Sequence, residues 1–144
     1  MAKIADKTIV YVTRDLERAL GLQTAVASYF IITNSTSFAK EMSSLHKNIL
    51  LVNSPQTLDT HELLAHPDTD LFLDTLVEPQ IMVFKNTPII ERLCAVNGWP
   101  LLNPLAETAN KVEEKISQVE WLGDLARFLP EHQVLLLKDV RFET

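Results

Sequence analysis

A chain of 144 residues with 47% hydrophobic and 22% charged side chains is long enough for a real core, and this composition excludes disorder over most of its length. A formal net charge of −6 with scattered Lys and Arg excludes a nucleic-acid backbone as partner, which demands a basic face. One cysteine, Cys94, excludes an intrachain disulfide. No run approaches the roughly 20 apolar residues of a membrane span. The first seven residues hold no apolar signal region, so the expected compartment is the cytoplasm.

Thr8-Ile9-Val10-Tyr11-Val12-Thr13 is β-branched and aromatic, and predicts a buried strand. Residues 14–22 read as a helix ending near Gly21. A second strand is predicted over 29–33, and Asn34-Ser35-Thr36-Ser37 then caps a helix over 38–45. Residues 49–52 make a third strand. Two short helices, over 57–64 and 70–76, are divided at His66-Pro67. Residues 81–84 form a fourth strand. Thr87-Pro88 opens a helix that stops at Asn97-Gly98. A short fifth strand covers 99–102, and Asn103-Pro104 opens another helical region.

Strands apolar on both faces and separated by helices predict an open, doubly wound, mainly parallel α/β sheet with helices on both faces, a Rossmann-like arrangement. The expected core includes Val10, Val12, Ile31, Leu50, Val52, Met82, Phe84, Ile116 and Val119.

In such sheets ligands bind beyond the carboxyl ends of the strands. Those ends carry Arg14, Asn34, Asn53, Lys85, Asn86 and Asn103, which are the candidate substrate-binding residues. Arg14 and Lys85 supply charge suited to a carboxylate or phosphate. The competing reading is that Asn, Ser and Thr stand at strand ends because they cap helices and turns. His61 and His66 are five residues apart, about 140° around a regular helix, and cannot share a zinc there. The three glycines, Gly21, Gly98 and Gly123, are too far apart to form a phosphate-wrapping loop. No carboxylate follows the third strand, which ends Val52-Asn53, so a phosphoacceptor receiver is excluded. No Gly-x-Ser-x-Gly elbow supports a serine hydrolase. The sequence therefore yields no catalytic residue and no metal ligand.

The stretch from Leu101 to Trp121 combines a short strand, Asn103-Pro104, the pair Asn110-Lys111 and an amphipathic helix expected to reach Phe128. That helix carries Val112, Ile116, Val119, Leu122 and Ala126 on one face. Leu129-Pro130 and an apolar tail strand over 133–137 follow. This order resembles the transition from the preATP-grasp domain into the nucleotide-binding part of the ATP-grasp ligases, such as biotin carboxylase and the glutathione synthetase-like enzymes. The resemblance implies an N-terminal preATP-grasp-like domain over residues 1–130, with 131–144 starting or linking to an ATP-grasp domain. It implies a substrate-side role in a parent ligase that uses ATP and magnesium. The C-terminal ATP-grasp lobes would be the partner, and Lys111 would meet nucleotide phosphates only together with them. The chain departs from the family in lacking the glycine-rich phosphate-covering loop and the metal-binding carboxylates, so it is expected to hold no cofactor and to be inactive alone. A homodimer through the apolar tail is the other expected association. The alternative reading is a stand-alone α/β module for protein interaction or small-ligand binding.

Overall fold

The computed structural model describes residues 7–21, 28–114, 118, 120–131 and 135. The chain divides into two compact units, Met1–Ala106 and Glu107–Thr144, so the expected boundary at 130/131 falls inside the second unit.

The first unit is built on β1 (Thr8–Val12), whose last four residues are buried. β1 pairs in parallel with β2 (Ser28–Asn34) on one side and with β4 (Pro79–Val83) on the other. β2 in turn pairs in parallel with β3 (Ile49–Val52). The sheet order is β3-β2-β1-β4. Outside β4, Leu101 makes one parallel bridge to Ile81. The predicted fifth strand shrinks to this bridge because Pro100 and Pro104, on either side of it, have no N–H to continue a ladder. The Asn103 side chain takes over instead. Its Oδ1 accepts from Val83 N at 2.9 Å and its Nδ2 donates to Val83 O at 2.8 Å, imitating the missing pair.

Alternation along β1 sends side chains to two cores. Val10 and Val12 join Ile32, Val52, Ile81 and Val83 under α2 (Thr60–Leu64), α3 (Pro67–Leu73) and α4 (Pro88–Asn97), through Leu63, Leu64, Leu73, Ile90 and Cys94. Ile9 and Tyr11 join Tyr29 and Ile31 under α1 (Ser37–Leu45) and a 3-10 turn (Leu16–Ala19), through Ala39, Leu16 and Ala19. The molecule is thus an α/β, Rossmann-like fold with its parallel sheet covered on both faces. Each buried Leu or Ile contributes about 1.5–3 kcal/mol.

Local signals set the helix ends. Thr36 Oγ1 accepts from Ala39 N at 3.1 Å and caps α1. Thr87 Oγ1 accepts from Ile90 N at 3.3 Å, Pro88 follows as the first helical residue, and Gly98 closes α4 at φ 68°. His66 Nδ1 accepts from Asp68 N at 3.2 Å, and Pro67 opens α3. The proline that divides the two short helices therefore starts the second one, three residues earlier than expected. His61 and His66 consequently belong to different helices.

Several expectations need correction. The helix over 14–22 is only the 3-10 turn, because Leu16 and Ala19 reach the core three residues apart. Phe84 is 60% exposed rather than core, since β4 ends at Val83 and Phe84 lies one residue past its last ladder pair. Leu50 and Met82 are half-buried, while Val10, Val12, Ile31 and Val52 are buried as expected. In the second unit, α5 (Ala106–Glu113) does not run to Phe128. A 3-10 helix (Gly123–Phe128) stands there, opened by Gly123 at φ 51°, a conformation that suits glycine and interrupts a regular helix. Val112, expected on the apolar stripe, is 45% exposed. Ile116, Val119 and, apart from an exposed Leu135, the predicted tail strand lie outside the described residues.

Candidate functional site

The order β3-β2-β1-β4 reverses at β1, because the chain winds to β2 and β3 on one side and then crosses to β4 on the other. A crevice opens at the carboxyl ends of β1 and β4, the place where doubly wound sheets bind ligands. Its volume is about 440 Å³, within the range of small-molecule sites. Arg14, Asp15 and Arg18 line it from the segment after β1, Asp59 and His61 from the start of α2, and Phe84, Lys85 and Thr87 from the segment between β4 and α4.

The segment after β1 is held by its backbone. Arg14 O accepts from Asn34 Nδ2 at 3.0 Å and from Thr33 Oγ1 at 3.3 Å. Thr13 N donates to Ile32 O at 3.0 Å, and Thr13 Oγ1 to Asp15 O at 3.0 Å. With its carbonyl tied inward, Arg14 directs its side chain across the crevice, where Nη1 donates to Asp59 Oδ1 at 2.7 Å. One turn on, Arg18 Nε lies 3.4 Å from Asp15 Oδ2. Its guanidinium carbon stands 4.1 Å from the centroid of the Phe84 ring, a cation–π contact that steadies both side chains. The lining carries three basic side chains against two acidic ones, in a chain whose net charge is −6. It is a local excess of positive charge.

Of the predicted site residues, Arg14 and Lys85 meet in this crevice. Asn34, Asn86 and Asn103 do not line it, because they serve the fold. Asn34 is buried. Besides holding Arg14 O, its Nδ2 donates to Leu58 O at 2.9 Å, and its Oδ1 accepts from Leu58 N at 2.8 Å. Asn86 is buried at 1% exposure. Its Nδ2 donates to Glu91 Oε1 at 2.9 Å and to Pro104 O at 2.8 Å, and the same Glu91 oxygen accepts from Ala106 N at 2.6 Å. Asn86 Oδ1 has no partner among the described residues. Asn103 clamps Val83. Asn53 is exposed and stands apart from the crevice lining. Lys111 is exposed on α5 in the second unit, beside Glu107, Thr108, Val112 and Trp121 in a separate hollow.

Sequence reasoning missed Arg18, Phe84, Asp59 and His61. Arg18 carried a signal, standing four residues after Arg14 just past a strand end. Phe84 was assigned to the core by its hydrophobicity alone. Asp59 lies 45 positions from Arg14 and gave none.

Beneath the crevice, Tyr11 is held above the usual phenol range by burial, partly offset by the charge of Arg18. Burial also raises Tyr29, with Tyr11 adding to the effect, and its hydroxyl donates to Ala19 O at 2.9 Å. Burial pushes the Cys94 thiol up to about 11, which leaves it a packing group rather than a nucleophile. Among the described residues no three His, Cys, Asp or Glu gather where a metal ion could be held.

Fold and site together define a Rossmann-like α/β domain with a cationic crevice at its switch point. Comparison with protein-family models, with curated proteins and with solved structures found no match for this chain.

Proposed function

We propose that residues 7–106 are the substrate-side domain of an ATP-grasp ligase-like protein, with the β1/β4 crevice facing the ligand. The observation that carries this reading is the order of events at the end of the first unit. Leu101 bridges outside β4, Asn103-Pro104 follows, the unit closes at Ala106, and Asn110-Lys111 lies on the helix that leads on. That is the succession by which the sequence resembles the entry into the nucleotide-binding lobes of that family. In this reading the chain's own residues bind and orient a small anionic ligand. The chemistry of ATP and magnesium is supplied by lobes that the described residues do not compose.

Two measurements test it. The reading frame beyond codon 144 is expected to encode a glycine-rich loop and acidic metal ligands, and a frame without them overturns the ligase reading. Calorimetric titration of the 144-residue chain with magnesium-ATP is expected to give nothing tighter than about 1 mM, near −4 kcal/mol. Micromolar binding abolished by Lys111→Ala would instead make the chain a complete nucleotide site.

A second reading is a stand-alone small-ligand module. It is favoured by the crevice being lined wholly by residues of the first unit.

A further inference from the structure

The crevice contains two arginines, and each already holds a carboxylate of the chain itself. Arg14 Nη1 meets Asp59 at 2.7 Å, Arg18 Nε meets Asp15 at 3.4 Å, and Asp15 also reaches Arg14 Nε at 4.0 Å. All four side chains are about half exposed, from 45% to 55%. Such pairs are weak because water competes for both partners. They exchange readily with any anion that brings comparable geometry. The arginines are anchored apart from these pairs, and Asp59 is held as the N-cap of α2 by its box with Glu62. The Arg14 main chain is fixed by Asn34 and Thr33, and Arg18 rests on the Phe84 ring. Phe84 keeps 60% of its surface exposed, and that surface serves no core.

We propose that Asp59 and Asp15 are internal placeholders. The crevice takes a small ligand bearing two acidic groups, one displacing Asp59 from Arg14 and the other displacing Asp15 from Arg18. This rests on the reading of the crevice as the ligand-facing edge. Two guanidinium groups, with Asp15 within reach of both, make two anion positions, so a ligand with two acids fills both while a monoanion fills one. Each guanidinium is a planar fork matched to carboxylate or phosphate. Both aspartates are already half hydrated, and Asp59 gives up Arg14 while remaining the N-cap of α2, so the exchange costs little. The placeholders keep the arginines paired when no ligand is present, and they weaken binding of single anions by competition.

The test is an amide NMR titration of the full chain with succinate and, in a second arm, pyrophosphate. Acetate serves as the monoanion. Asn is as good as Asp at a helix N-cap, so Asp59→Asn keeps the start of α2. Asp59→Asn and Asp15→Asn are each expected to tighten binding of the dianion by about threefold to fivefold, the factor that corresponds to one exposed ion pair. The gain from Asp59→Asn must vanish when Arg14→Gln is also present, and that from Asp15→Asn must fall when Arg18→Gln is present and vanish when Arg14→Gln is added, since Asp15 reaches both arginines. Asp74→Asn, an exposed acid outside the crevice lining, must leave binding unchanged. The arm with the larger gain identifies the acid as carboxylate or phosphate. Dianion binding that is indifferent to both substitutions overturns the placeholder inference alone. So does a gain that persists without the arginine, since that reports only a general change of field. Absence of dianion binding in every variant overturns the inference together with the ligand-facing reading.

Discussion

The carboxyl edge of the sheet has two stretches that look alike in sequence and behave in opposite ways. At the end of β2, Asn34 spends its amide on Arg14 O, Leu58 O and Leu58 N, stitching three neighbouring segments into a closed seam. Between β1 and β4, Arg14 and Arg18 form exposed ion pairs and Phe84 shows its ring to solvent. The contrast separates polar groups consumed by the fold from polar groups left exposed to water. A buried donor or acceptor must be satisfied internally, whereas an exposed one is already satisfied by water and can exchange.

The comparison can be broken most directly at the seam. Asn34→Ala removes three part-buried hydrogen bonds and strands the Leu58 amide group, so a loss of about 2–4 kcal/mol is expected in urea unfolding. A loss under about 1 kcal/mol would mean that the seam is not closed.

The core beneath α4 gives the next effect. The Cys94 thiol is raised from 9.0 to about 11 by burial, so the folded chain holds that proton more firmly than the unfolded one. The stability contribution is complete below pH 9 and is lost as pH rises through about 11. The loss amounts to roughly 3 kcal/mol. Cys94→Ala should flatten the pH dependence of unfolding in that window, while the raised tyrosines continue to act at higher pH. An unchanged slope would contradict the burial of this thiol.

Smaller again is the Asn103 clamp on the edge of β4. Asn103→Ala should cost about 1–2 kcal/mol and speed hydrogen exchange at the Val83 amide. At the crevice the effect should nearly disappear. Arg14→Gln is expected to change stability by less than about 1 kcal/mol, because its ion pair is half exposed. A larger cost would move Arg14 from the ligand side of the comparison to the structural side.

The sheet was legible because Val and Ile runs bounded by polar residues leave little choice other than buried parallel strands, as at Ile49–Val52. Thr87-Pro88 and Asn97-Gly98 marked α4 through cap chemistry that acts over a few residues. The segment after β1 was misread because Leu16 and Ala19 fit both a helix and a single 3-10 turn. Phe84 was misread because hydrophobicity does not report where a strand ends. The polar strand ends pointed to the carboxyl edge but not to the roles along it. Whether an Asn is used up depends on which carbonyls the tertiary fold brings near, and Asn34 meets Leu58 from 24 positions away. The Arg14–Asp59 pair is likewise a product of the β3–α2 connection and has no local signature.

The central claim is that the open crevice, and not the Asn-lined seam or the Lys111 helix, faces the ligand. Mapping amide shift changes on addition of succinate tests it most directly. The account predicts changes concentrated at residues 13–18, 59–61 and 84–87, with Asn53 and residues 107–112 silent. Changes centred on Asn53 or on Lys111, with the crevice silent, would contradict it.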